Sequence, residues 1–189
     1  MIARRIVVAA LALALLSGCA PHSSGDAKTH ARELEAALET LPSVTGASAY
    51  VNPESVGLQV GIDAHREDDY LTALQQIAAV WAENPLAERK QLSLSASPEG
   101  TVAFYNVDPD DLDALLAAAR ILWYYSEDDA AEIASPSNYG YLASREFGVR
   151  LMVSEESLVA PTLAELTAMV EDAGLLYRPD GGLSVEVSP

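Results

Sequence analysis

The chain is nearly devoid of cysteine: Cys19 stands alone among 189 residues. A lone thiol has no partner in its own chain, so a disulfide framework is excluded. Histidine is almost as scarce. His22, His30 and His65 show no ligand spacing, and a Cys/His metal cluster is not expected. Basic residues are few, 11 Lys and Arg against 28 Asp and Glu, for a formal net charge of −17. Such a surface repels nucleic-acid phosphate and anionic headgroups, which removes nucleic acid from the expected partners. Long apolar runs are also missing. The stretch 6–16 falls well short of the roughly 20 residues that a spanning helix needs. There is no G-x-S-x-G, no histidine placed to activate a hydroxyl, and no glycine pattern that cradles phosphate. What remains is a chain that is 50% hydrophobic, enough for a core at one-domain length.

The N-terminus carries a positive start at Arg4 and Arg5, the uncharged run 6–16, and the small residues Ser17 and Gly18 just before Cys19. These are the three parts of an export signal. Leu16-Ser17-Gly18-Cys19 resembles the lipobox of bacterial lipoproteins. The resemblance covers about the first twenty residues. It implies a diacylglyceryl group on the Cys19 sulfur, removal of residues 1–18, further acylation such as palmitate, and attachment to the extracytoplasmic face of the cell membrane. Two acyl chains meet the condition for stable anchoring, each buried methylene contributing about 0.8 kcal/mol. The single cysteine is then used up, and no thiol chemistry remains. The expected organisation is a signal peptide at 1–18, the lipidated cysteine and a short tether at 19–25, and a single α+β domain at 26–189.

Within that domain the pattern predicts a helix followed by a β-hairpin, four times over. Asn52-Pro53-Glu54-Ser55, Ser97-Pro98-Glu99-Gly100 and Arg178-Pro179-Asp180-Gly181 each put Pro second, where its fixed φ suits a type I turn. Ser144-Arg145-Glu146-Phe147 fills the remaining slot. Apolar stripes at three- and four-residue spacing mark the helices: Ala31, Leu34, Leu38 and Leu41; Leu71, Leu74, Ile77, Ala78 and Trp81; Leu112, Leu115, Leu116, Ala119 and Trp123; Leu163, Leu166, Met169 and Val170. The third is expected to open at Asp108-Pro109. The fourth is expected to open on a capping box of Thr162 and Glu165 and to stop at Gly174. Residues 127–134 suggest one further helical turn. In the hairpins Val51 faces Val56, Leu94 faces Phe104, and Leu142 is expected opposite Val149 with Tyr141 opposite Arg150. Two such units in tandem, αββαββ, resemble a permuted ferredoxin-like arrangement, so four predict either two such halves or one long antiparallel sheet, with helices on one face and the other face open.

The acidic runs Asp108-Pro109-Asp110-Asp111-Leu112-Asp113, Glu67-Asp68-Asp69 and Glu127-Asp128-Asp129 read as helix-dipole complements. The first has neither the glycine nor the closing glutamate of a calcium loop. No catalytic residue, cofactor or metal site emerges. The constellation singled out is the open sheet face, Tyr50, Gln59, Tyr105, Tyr139, Tyr141, Arg150 and Met152, because tyrosine combines a broad apolar ring with a polar tip and suits binding surfaces. The sequence therefore points to a non-enzymatic, membrane-anchored binding domain of the cell envelope with an envelope protein as partner. The alternatives are an envelope hydrolase using carboxylates that the sequence does not single out, and a self-associating structural lipoprotein.

Overall fold

Alternating small aliphatic residues, turned back by Asn52-Pro53-Glu54-Ser55, make the first hairpin. A computed structural model describes residues 24–88, 91–97, 103–107, 111–127, 131–133, 141–143, 145–177 and 182–188. The export signal, Cys19 and most of the tether lie outside them. Among the described residues, four helices and nine strands run in the order α1 (Ser24–Leu38), β1 (Val44–Val51), β2 (Ser55–Ile62), α2 (Glu67–Glu83), β3 (Gln91–Ser97), β4 (Ala103–Val107), α3 (Leu112–Ser126), β5 (Ala131–Ile133), β6 (Tyr141–Ala143), β7 (Glu146–Val153), α4 (Glu156–Asp172), β8 (Leu176–Tyr177) and β9 (Leu183–Val187). The fold is α+β, but its sheets are mixed rather than antiparallel. β1 pairs antiparallel with β2, β2 pairs parallel with β3, and β3 pairs antiparallel with β4.

The second sheet is built around β7. β5 and β6 pair with it antiparallel, β8 and β9 parallel. Leu176 donates its N–H to the carbonyl of Arg145, Val149 donates to that of Gly182, and Ser188 donates to that of Val153. Alternate residues of a strand aim their hydrogen bonds at the same edge. β8 and β9 therefore lie end to end along one edge of β7, and β5 and β6 share the other. Among the described residues the expected fourth hairpin is not formed. Both of its strands pair with β7 instead of with each other, and its turn at 178–181 lies outside the described residues.

Helix signals in the sequence were mostly sound in type and less so in extent. α1 begins at Ser24, so Ser24 and Gly25 belong to the helix and not to the tether. Ala31, Leu34 and Leu38 are buried as the stripe requires, while Leu41 sits in the turn beyond. α2 opens on Glu67, Asp68 and Asp69, which complement the dipole. α3 is capped by Asp111, whose side chain accepts from the Ala114 N–H at 3.3 Å; the expected start at Asp108-Pro109 lies outside the described residues. α4 starts at Glu156, six residues before the expected capping box, with Pro161 inside it. A proline so near the N-terminus forfeits one backbone bond, and the extra turn gains Leu158 and Val159 packed against the core. Glu165 serves instead as acceptor for the Tyr124 hydroxyl at 2.8 Å, joining α4 to α3. Gly174, at φ +65, ends α4, and the next N–H, of Leu175, returns to Val170 O at 3.0 Å. Residues 131–133 form β5, not a helical turn.

Registers in the first two hairpins match the expectation, with Val51 opposite Val56, Ala49 opposite Leu58 and Leu94 opposite Phe104. The third differs by two residues: Tyr141 lies opposite Gly148 and Leu142 opposite Phe147. The reason is a turn of the same length placed one residue earlier. Ala143 already pairs with Glu146, because Arg145 takes the left-handed conformation at φ 67, a costly one for a residue with Cβ. Its guanidinium reaches Asp111 at 3.4 Å, which helps hold it there. A shift of two preserves the faces, so the aliphatic side stays inward.

One core underlies both sheets. Val56, Leu58, Val60 and Ile62 of β2 and Phe147, Val149, Leu151 and Val153 of β7 are all buried, together with Leu74, Ile77 and Trp81 of α2 and Leu115, Ala118 and Leu122 of α3. The two helices meet through Tyr70 and Trp123, stacked at 5.4 Å. Burial pushes the Tyr70 phenol far above its ordinary pKa. Among the described residues, no helix is long and apolar enough to cross a membrane.

Candidate functional site

The central strand of each sheet shows the same alternation. In β2 and β7 the second, fourth, sixth and eighth residues are buried, and the fifth, Gln59 or Arg150, is exposed. Each also has glycine at its third position, Gly57 and Gly148. The side opposite the core is therefore open at the middle of both sheets, where the sequence places its candidate residues.

On the first sheet, Tyr50 of β1 is 53% exposed. Its ring lies directly over Gly57, where any Cβ would collide with the ring tip. Glycine in a strand leaves a gap that a cross-strand aromatic can cover. The next register row joins Ser48, Gln59 and Ser95, and the row beyond joins Gly46, Gly61 and Ser97. None of these positions is charged. Thr45 covers Gly61 as Tyr50 covers Gly57.

On the second sheet the open face is charged. Arg150 forms an ion pair with Glu186 of β9, both groups about half exposed. Met152, half-buried, lies in register with Glu132 on one side and Glu186 on the other. Tyr141 pairs with Gly148 and is not opposite Arg150, so the expected Tyr141–Arg150 cross-strand pair is replaced by Arg150–Glu186. An Arg fork and a carboxylate on neighbouring strands are natural partners, and in the open their net contribution is small.

The structure thus brings the seven candidates together only in part. Tyr50 and Gln59 share the first sheet, on adjacent strands and in successive rows. Arg150 and Met152 are two apart on β7. Tyr105 lies in β4, in the irregular stretch between the Leu94–Phe104 and Leu92–Val107 pairs. Tyr139 lies outside the described residues, as does Cys19. β4 runs beside β6, which places the two sheets next to each other.

A feature that the sequence reading missed lies on the helical side. A cleft of about 510 Å³ opens between α3 and α4, with Leu116 and Met169 in its apolar lining and Asp113, Arg120 and Asp172 among its polar groups. Leu116 and Met169 belong to stripes read as core, and only their half-burial marks them as cleft walls. Arg120 is shared with Glu67 of α2 at 3.6 Å. Among the described residues the cleft lining holds no histidine, serine or cysteine, and its charge is carried by two aspartates and one arginine. Among the described residues, no group of three His, Cys, Asp or Glu side chains is arranged to hold a metal ion. No protein-family model matches the chain, and comparison with curated proteins finds no match.

Proposed function

We propose that the protein is a lipoprotein of the cell envelope, anchored through diacylglyceryl-modified Cys19 on the extracytoplasmic face of the membrane, whose domain binds an envelope protein through the open sheet face without catalysing a reaction. The anchor reading is supported by the Leu16-Ser17-Gly18-Cys19 box at the end of the apolar run. The binding reading is carried by one observation: both central strands bury one face and expose Gln59 and Arg150 at the same position on the other. Tyr50, whose ring tip lies over Gly57, adds aromatic surface there.

We also read the chain as two halves of permuted ferredoxin-like type, built from αββ units. Its support is that β2 and β7 each have an antiparallel neighbour on one edge and a parallel neighbour on the other, reached through α2 and α4. The last unit departs from the plan, since β8 and β9 form no hairpin.

Two measurements test the function. Cys19→Ala is expected to leave the membrane pellet after a salt wash, and retention there overturns the anchor. Tyr50→Ala with Arg150→Ala is expected to lose a co-purifying envelope protein that the wild type retains. Unchanged recovery by a folded double variant overturns the binding face.

A further inference from the structure

The outer edge of the first sheet is finished by a side chain. Asn52 donates its N–H to Ser55 O at 2.8 Å, so the even-numbered residues of β1 aim their backbone groups at β2. The backbone groups of Ala47, Ala49 and Val51 then aim outward. The outward N–H of Ala49 donates to Glu35 Oε1 of α1 at 2.7 Å. A carboxylate oxygen occupies the place that a neighbouring strand's carbonyl would take. Covering an edge in this way is a known defence against strand addition.

Two further features say what would otherwise add. β1, Val-Thr-Gly-Ala-Ser-Ala-Tyr-Val, has neither charge nor proline, although the chain carries a net −17. Two copies of this strand meet no like-charge repulsion along their length. Gly46 has open space where a Cβ would stand, and exposed Tyr50 is four residues away on the same face. In an antiparallel pair centred on Ser48, Ala47 faces Ala49 of the second copy, so the outward bonds match. Tyr50 then faces Gly46 of the second copy and repeats the Tyr50–Gly57 pair within the sheet.

We propose that β1 is a self-docking edge latched by Glu35. With Glu35 on Ala49 the edge is closed; with that bond removed, β1 pairs antiparallel with β1 of a second copy about a two-fold axis at Ser48. Such an interface is isologous and closes at the dimer. The inference stands apart from the envelope-partner reading, since the backbone edge of β1 carries it and Tyr50 alone is common to both.

The register predicts a cross-link. Ser48 would face its own copy in a non-hydrogen-bonded pair, where Cα atoms are about 4.5 Å apart and a disulfide can form. The full chain in detergent, with Cys19→Ala so that no other thiol reacts, is given Ser48→Cys and oxidised. Adding Glu35→Ala is expected to raise the cross-linked dimer by roughly tenfold, the scale set by losing one hydrogen bond to a charged group. Glu35→Asp, one methylene short of Ala49, gives the same rise with its charge retained and guards against a misfolded Glu35→Ala. Glu35→Gln keeps a side-chain carbonyl acceptor and stays low. Gln59→Cys, exposed on the same face one strand inward, stays uncross-linked in every background. Equal yields with and without Glu35, or equal yields at positions 48 and 59, overturn the proposal.

Discussion

The two sheets share a plan and differ in finish. β2 and β7 have the same order of buried and exposed residues, the same third-position glycine, and the same choice of antiparallel and parallel neighbours. Yet around Gln59 the open face is small and neutral, and around Arg150 it pairs a guanidinium with Glu186. The glycines differ too. Gly57 is covered by the movable tip of Tyr50, whereas Gly148 is pressed by backbone, with Gly182 O only 2.9 Å from where a Cβ would stand. The inner face has one solution because it must exclude water. The outer face is free to diverge because no packing constrains it.

The inner face is where the comparison breaks with the largest effect. Phe147 and Val56 hold the second position of their strands, and both are buried. Phe147→Ala should cost about 3–5 kcal/mol by chemical denaturation. Val56→Ala, a smaller deletion at the equivalent place, should cost about 2 kcal/mol. Equal losses would mean that the two positions are not packed alike.

The glycines provide a sharper contrast. Gly148→Ala forces a methyl against the Gly182 carbonyl, which already accepts from the Val149 N–H at 2.7 Å, and should destabilise by about 1–3 kcal/mol. Gly57→Ala only displaces a side chain and should cost less than about 1 kcal/mol. In a Tyr50→Ala background the Gly57→Ala cost should vanish, while that of Gly148→Ala stays. Thermal denaturation of the four variants reads this directly.

Between the halves stands Tyr70 against Trp123. Because its folded pKa is raised, the contribution of neutral Tyr70 is full below the unfolded value of roughly 10 and is lost as pH climbs above it, by about 1.4 kcal/mol per pH unit. Tyr70→Phe should flatten this alkaline limb in a stability-versus-pH series. An unchanged limb would mean that the join opens before the phenol matters.

The smallest effect is expected on the outer faces. Arg150→Ala removes an ion pair open to solvent and should change stability by no more than about 1 kcal/mol, and by less in high salt. Gln59→Ala should be close to neutral. A large, salt-independent loss at Arg150 would show that the pair is structural.

Much of the inward packing was legible without coordinates. Leu58, Val60, Val149 and Leu151 alternate with polar or small residues, and alternation sorts faces whatever the strand pairs with. Even the misplaced third turn kept its faces, since the error was two residues. Pairing partners were less legible. Leu176 and Leu183 flank a Pro-Asp-Gly that suits a hairpin, and local turn chemistry says nothing about a distant β7 edge awaiting partners. The cleft was illegible for a similar reason: Met169 is apolar and correctly spaced for core, and only the position of α3 decides whether its outer side is covered. Nothing in the sequence marks Glu35, fourteen residues from the N–H it caps.

By itself, then, the sequence settles the four helices, the inward face and the two near hairpins, because these follow from residues within reach of one another along the chain. The parallel neighbours of β2 and β7, the strands laid end to end along β7, and the carboxylate on the β1 edge belong to the tertiary structure. Each joins segments that no local propensity links, and backbone hydrogen bonds carry no side-chain code to name their partner until the core has brought the strands together.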